Sequence, residues 1–202
     1  MIVIVDYGCG NLNSIKNMLR KIGHNAKITS SPDDIENASK IILPGVGSYD
    51  TGMKNLQENN LQTILEKRAL DDKIPFLGIC LGMQLMTKGS EEGILQGLGW
   101  FDADTKRFTS SNESKLKIPN MGWNDISVKK ENKLFSGIEL PRFYFVHSYF
   151  VQSNHSTDIL ATAEYGIEYT CAFSKENLFG VQFHPEKSHK YGMKLLTNFA
   201  MI

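Results

Sequence analysis

The chain has 202 residues, 41% of them hydrophobic, and carries 22 Lys plus Arg against 22 Asp plus Glu. This length supports one domain with an adequate core, so a single domain over residues 1–202 is predicted. Balanced charge without a basic block argues against a nucleic-acid partner, and no apolar run approaches the about 20 residues that cross a membrane.

The first half of the chain alternates short apolar runs with helical stripes. Ile2–Val5 is predicted as a buried strand, and Asn11–Ile22 as an amphipathic helix closed by Gly23. Further strands are predicted at 26–29, 41–43 and 76–79, and further helices from residue 31 and over about 49–71. Such alternation predicts parallel strands joined by crossover helices, an α/β fold with a doubly wound, mostly parallel central sheet.

The second half changes character between Trp100 and Phe183. It contains short β-type runs, which predict an antiparallel β-rich region; the runs are 126–128, 142–146, 159–163, 169–173 and 178–183. The polar stretch Thr109–Lys117 is predicted as an exposed loop. The chain then closes with a helix over Ser188–Ile202, whose apolar positions 195, 196 and 199 are expected to face inward.

Three widely spaced cysteines, Cys9, Cys80 and Cys171, are more typical of a reducing compartment than of a disulfide framework. The N-terminus enters an apolar strand directly, without the charged region and long apolar run of a signal peptide. A cytoplasmic protein is therefore expected. No Cys or His cluster has metal-ligand spacing, so no metal site is expected, and no cofactor.

The most informative segment is Pro75–Leu85, in which an apolar run ends in Gly-x-Cys-x-Gly before a helix-compatible stretch. With Cys in place of Ser this is the nucleophile-elbow pattern, a sharp strand-to-helix turn that raises one side chain above the sheet. A helix N-terminus favours the thiolate, which is the attacking species. Cys80 is therefore the candidate nucleophile, with a buried structural cysteine as the alternative.

His184 follows the last strand-like run, and Glu186 stands two residues further along. A cysteine nucleophile needs a base that takes its proton, and a carboxylate on the other ring nitrogen orients that base. Residues two apart in an extended segment point the same way, so both side chains could face one site.

Gly45, Val46 and Gly47 form a Gly-rich loop after a short apolar strand. Attack on an amide carbonyl builds negative charge on oxygen, which backbone N–H donors must meet. This loop could supply one donor and the N–H of Leu81 the other, although a structural turn is the default interpretation of such a loop.

Together, the segments 44–47, 78–84 and 184–188 closely resemble the class I glutamine amidotransferases, over essentially the whole chain. The resemblance implies glutamine as substrate, a glutamyl thioester on Cys80, His184 as base and Glu186 as its orienting partner. It also implies substrate-binding roles for Gln84, Ser148, Tyr149 and Phe150.

Further segments, 5–12, 97–100, 119–124 and 143–149, resemble one branch of that family, the glutaminase subunits of imidazole glycerol phosphate synthase of histidine biosynthesis. That branch forms a heterodimer with a (β/α)₈-barrel cyclase, which receives ammonia through its interior. The resemblance implies low activity until the partner binds its nucleotide ligand. It places Trp123 and the loop 8–13, which includes Asn11, towards the barrel, with a core residue and a simple turn as the alternative. Lys187 is a solvated lysine by default, and an ion pair across the partner interface is the other interpretation.

One position departs from the branch, which usually has His before Met-Gly-Trp-Asn, whereas this chain has Asn120. The departure leaves open a paralogous glutaminase that supplies ammonia to a synthetase forming an acetamidino group on a surface sugar. A pseudoenzyme and a cysteine peptidase are alternatives from other classes. The intact Cys80, His184 and Glu186 argue against the first, and Gln84 argues against the second.

Overall fold

A computed structural model of the chain describes residues 1–109 and 116–202. Within these ranges it has 12 strands in one sheet and six α-helices. None of the helices in these ranges has the length and apolar content that a bilayer-spanning segment needs. Most of the predicted exposed loop at 109–117 lies outside the described residues.

The strands are β1 (Ile2–Val5), β2 (Ala26–Thr29), β3 (Lys40–Gly45), β4 (Phe76–Cys80), β5 (Gly89–Ser90), β6 (Ala103–Arg107), β7 (Asn120–Val128), β8 (Arg142–His147), β9 (Tyr149–Ser153), β10 (Ile159–Glu164), β11 (Glu168–Lys175) and β12 (Leu178–Val181). The α-helices are α1 (Leu12–Lys21), α2 (Pro32–Glu36), α3 (Tyr49–Glu58), α4 (Gln62–Glu66), α5 (Leu81–Leu85) and α6 (His189–Met201).

The main sheet has the strand order β2-β1-β3-β4-β12-β11-β10-β7-β8. The first five strands of this order are parallel to one another, and the following pairings are antiparallel. β12 is the junction, because it pairs in parallel with β4 and antiparallel with β11. The predicted fold class, a mostly parallel α/β sheet with an antiparallel second half, is confirmed.

Helices cover both faces of the parallel strands. In one core, α1 buries Ile15 and Leu19 and α6 buries three apolar residues. Helices α2 to α5 cover the core on the opposite face. β1 contributes Ile2 and Ile4 to the first core and Val3 and Val5 to the second. This two-sided burial explains why β1 is apolar at every position.

The structure corrects the predicted helix over 49–71. It divides into α3, α4 and a π-helical turn at Lys67–Asp71. The break falls at Asn60, whose φ of 55° ends α3 in the left-handed region. Leu61 then packs into the core with no exposed surface, and α4 begins at the next residue.

Three strands, β5, β6 and β9, were not predicted, and β7 begins at residue 120 rather than 126. β6 has the sequence Ala-Asp-Thr-Lys-Arg and buries only the small residues Ala103 and Thr105. Its apolar pattern is therefore too weak to detect, although it pairs with β9 over five positions.

Candidate active site

Cys80 ends β4 and caps α5 with a φ of 54° and a ψ of −111°. A β-carbon disfavours this positive φ, so the turn is strained and depends on its surroundings. Gly82 provides the space, because a β-carbon there would lie 1.8 Å from the carbonyl oxygen of Leu43 on β3. The side chain of Cys80 is thereby held at the carboxyl end of β4, where ligands bind in parallel sheets.

His184 and Glu186 follow β12, the neighbour of β4. The Nδ1–H of His184 donates to Glu186 Oε1 at 2.8 Å, and the side chains are only 2% and 3% exposed. Because a carboxylate only accepts, Nδ1 carries a proton. Nε2 of His184 is buried and has no hydrogen-bond partner among the described residues, which leaves it available for chemistry.

The charge of His184 is set by opposing effects. Burial disfavours the imidazolium, but the neighbouring Cys80 sulfur and the Glu186 carboxylate favour it, so the pKa of His184 is raised above its ordinary value of 6.5. An imidazolium beside a sulfur stabilises the thiolate form of that sulfur. The arrangement can therefore supply both a nucleophile and a proton donor.

Ser188 holds the turn that carries this pair, although sequence analysis gave it no role. Its hydroxyl donates to the His184 carbonyl at 2.6 Å and accepts from the backbone N–H of Tyr144 at 3.0 Å. The His184 N–H also donates to the Tyr144 carbonyl. These bonds fix the histidine to β8.

The loop at 45–47 lies beside the elbow, since Gly45 is the register partner of Cys80. The Tyr7 hydroxyl donates to the Pro44 carbonyl at 2.6 Å and fixes the start of the loop. Gly45 is required there, because a β-carbon would lie 2.4 Å from the Tyr7 oxygen. Val46 and Gly47 line the same cavity as Cys80 and Leu81.

This cavity has a volume of about 280 Å³ and contains Cys80 and His184 in its lining. Two larger cavities, of about 800 and 670 Å³, lie at 128–138 and beside β7 and β10, and no described Cys or His lines them. The smaller cavity is therefore the candidate site, and its size suits a small amino-acid substrate.

Gln84, Ser148 and Tyr149 also line the cavity. The Gln84 amide Nε2 donates to the Tyr149 carbonyl at 3.2 Å, which ties α5 to β9. Phe150 instead packs on Phe108, with 4.7 Å between the ring centroids, and is not among the lining residues.

Glu92 is a lining residue that sequence analysis missed. Its Oε2 accepts from the N–H of Tyr49 at 2.9 Å, while Asp50 accepts from the N–H groups of Ile94 and Leu95. These reciprocal bonds fasten the loop to the first turn of α3. The sequence Glu-Glu-Gly at 91–93 resembles any polar turn, so nothing local identified it.

His147 forms a buried polar cluster on the cavity wall. Its Nδ1–H donates to the Tyr149 carbonyl at 2.7 Å, and its Nε2 lies 3.1 Å from Asn120 Nδ2 and 3.3 Å from Tyr169 Oη. Burial and, to a smaller extent, the charge of the nearby His184 lower the pKa of His147 to about 4. His147 is therefore neutral, with Nε2 accepting from Asn120.

Two of the three residues assigned to a partner interface share one face. Trp123 lies 6.2 Å from the ring of Tyr144 and stacks on His189, and the exposed Lys187 places its Nζ 5.8 Å from the same Tyr144 ring. Asn11 is exposed next to Gly10, which packs against Gly45 of the loop beside Cys80.

Comparison with known proteins gives consistent matches over the whole chain. The family described as "Glutamine amidotransferase class-I" matches residues 3–202. Two similar proteins, each named imidazole glycerol phosphate synthase subunit HisH 2, come from Methanococcus maripaludis and Pseudomonas aeruginosa. They are 57% and 48% identical, and each alignment covers 98% of both chains. A crystal structure of a glutamine amidotransferase has the same fold, with a TM-score of 0.76 at 19% identity and coverage of 100% of this chain and 98% of the other.

Proposed function

This chain belongs to the class I glutamine amidotransferases, and on that premise we propose that it is the glutaminase subunit of imidazole glycerol phosphate synthase, which hydrolyses glutamine to glutamate and ammonia. The observation that carries the chemistry is the strained Cys80 turn, which faces the same small cavity as His184, while Glu186 holds the His184 ring from behind by a hydrogen bond. The similar HisH subunits, matched end to end, support the choice of enzyme. A single domain over residues 1–202 is part of this proposal.

The proposed reaction begins with attack of the Cys80 thiolate on the amide carbon of glutamine. The oxyanion that forms is stabilised by backbone N–H groups of Gly45, Val46 or Gly47 and of Leu81. His184 Nε2, which has no other described partner, gives its proton to the departing ammonia. It then removes a proton from water, which attacks the thioester and releases glutamate and the free thiolate.

Substrate recognition rests on two groups in the cavity. Glu92 offers a half-buried carboxylate that matches the α-ammonium of glutamine. The side-chain amide Nε2 of Gln84 donates its hydrogen bonds to Tyr149 and Gln182, so the side-chain oxygen of Gln84 remains for the substrate. These groups favour a free amino acid over an internal residue of a peptide, which argues against a cysteine peptidase.

The proposed partner is a (β/α)₈-barrel cyclase, and the assembly would work in the cytoplasm. The surface around Trp123 and Tyr144 provides aromatic area, which is enriched in interfaces, and Lys187 adds a cation suited to an ion pair with a partner carboxylate. Asn11 is proposed as a further contact, because it is exposed next to Gly10, which packs against the loop beside Cys80. Ammonia released there would enter the barrel without reaching solvent.

A second candidate keeps the glutaminase chemistry and changes the partner to a synthetase that forms an acetamidino group on a surface sugar. Asn120 favours it, since the histidine-pathway branch usually has His there. The two HisH relatives described above both carry the number 2 in their names.

The deciding experiment measures glutamate release from glutamine by the purified chain, alone and with the barrel cyclase of the same organism plus its nucleotide substrate. Strong stimulation supports the histidine-pathway assignment. Absence of stimulation, with Cys80 still labelled by an electrophilic glutamine analogue, favours the second candidate. Absence of both stimulation and labelling would overturn the glutaminase proposal itself.

A further inference from the structure

Gln182 is fully buried in the short segment between β12 and His184. Its backbone N–H donates to the Cys171 carbonyl at 2.8 Å, which fixes the main chain beside β11. A buried amide needs partners for both its donor and its acceptor. The positions of those partners show what this side chain does.

The orientation of the Gln182 amide follows from a chain of contacts that begins at the backbone. Gln84 Nε2 donates to the Tyr149 main-chain carbonyl, which only accepts, so the nitrogen of Gln84 faces β9. The same nitrogen lies 3.0 Å from Gln182 Oε1. Gln182 must therefore present its oxygen to Gln84, and its own nitrogen points the other way.

That nitrogen, Nε2, lies 3.6 Å from Cys80 Sγ, within hydrogen-bond distance for sulfur. We propose that Gln182 is a further catalytic residue of the glutaminase reaction, which donates a hydrogen bond to the Cys80 sulfur and is locked in that orientation by Gln84. The proposal rests on the proposed function, in which Cys80 is the nucleophile.

The bond is useful at two points of the reaction. Before attack it stabilises the thiolate, because a hydrogen bond to the charged form of a group favours that form. When water attacks the thioester, the C–S bond breaks and the electron pair returns to sulfur, which Gln182 Nε2 can again meet. His184 acts on the moving protons, whereas Gln182 keeps its own proton throughout.

The contacts also couple substrate binding to the nucleophile. Gln84 lines the cavity and holds Gln182, and Gln182 holds the sulfur. A substrate that orders the Gln84 amide therefore also orders the donor to Cys80. A purely structural glutamine would show no such effect on the sulfur.

The test is the rate at which iodoacetamide alkylates Cys80 at neutral pH, resolved by peptide mass from alkylation of Cys9 and Cys171. In Gln182→Met, which keeps the volume and removes the donor, we expect alkylation to slow about 10-fold. In Gln182→Glu, which keeps the shape but places a carboxylate beside the sulfur, we expect a larger loss, of about 100-fold. Gln152→Met, at an exposed glutamine of β9, is the matched control.

Glutamine kinetics complete the test, with kcat expected to fall in both Gln182 variants. A rise in the KM for glutamine with alkylation at the wild-type rate in both variants would overturn the proposal, since Gln182 would then only support Gln84. The alkylation rate needs no glutamine turnover. A wild-type chain that iodoacetamide alkylates as expected, but that releases no glutamate with the cyclase and its nucleotide substrate and is not labelled by the glutamine analogue, would refute the proposed function and leave the contact to sulfur standing.

Discussion

The two halves of the sheet contribute to the site in different ways. The parallel half supplies backbone geometry, with Cys80 held at a φ of 54° and Gly45 directly opposite. The antiparallel half supplies side-chain hydrogen bonds, such as that of His147 to Tyr149. β12 joins the two and delivers His184 to Cys80. The nucleophile therefore depends on a strained turn, whereas the base depends on a network of hydrogen-bond partners.

The largest expected effect comes from removing the Cys80 thiol, which the strained turn holds in the cavity. Cys80→Ala should lower glutamate release by about 10⁵–10⁶-fold, because no other group can form the thioester. Cys171→Ala removes another buried thiol in the core and is the control. Partner-stimulated release by Cys80→Ala at the wild-type rate would show that the turn does not carry the nucleophile.

The next effect tests the network of the antiparallel half. Glu186→Gln keeps the shape but replaces the acceptor of the His184 Nδ1–H, so the ring loses its tautomer and its positive charge is disfavoured. We expect kcat to fall by about 10³–10⁴-fold with folding retained. The exposed pair of Lys73 and Glu176 provides the control, Glu176→Gln. A loss confined to the KM for glutamine would contradict an orienting role for Glu186.

Sequence and structure agree best where a function is carried by adjacent residues. The elbow around Cys80 and the sequence His-Pro-Glu are short motifs, and β1, β3 and β4 follow from their apolar runs. Gln182 could not be assigned in the same way, because its partner Gln84 lies 98 residues away in the chain. Only tertiary packing brings these two side chains together, and the residue types at the two positions do not predict the contact.

A stability effect follows for the backbone of the parallel half. In Gly82→Ala the new β-carbon would lie 1.8 Å from the Leu43 carbonyl oxygen, so β3 and α5 must separate. We expect the free energy of unfolding to fall by about 3 kcal/mol, measured by urea denaturation. Gly89→Ala is the control, since a β-carbon there meets no atom within 4 Å. Equal stability of the two variants would show that the elbow tolerates a wider turn.

The smallest effect concerns the buried His147, whose pKa is lowered to about 4 by burial. The unfolded chain binds a proton at this position near the ordinary value of 6.5, while the folded chain does not. The contribution of neutral His147 to the free energy of unfolding is therefore complete above pH 6.5 and is lost as the pH falls towards 4. We expect a loss of about 1 kcal/mol in the free energy of unfolding between about pH 6 and pH 5.

His147→Asn tests this contribution, because the Asn amide can still donate to the Tyr149 carbonyl but does not titrate. The groups facing position 147 are Asn120 on β7, Tyr169 on β11 and His184 after β12, and they stay unchanged in the variant. In this variant, the slope of the free energy of unfolding against pH should be smaller than in wild type by the uptake of about one proton over this range. His155→Asn, at an exposed site, is the control. An unchanged slope would mean that His147 is protonated in the fold. Its Nε2 would then be a donor rather than an acceptor, and the Asn120 amide would have to turn to present its oxygen.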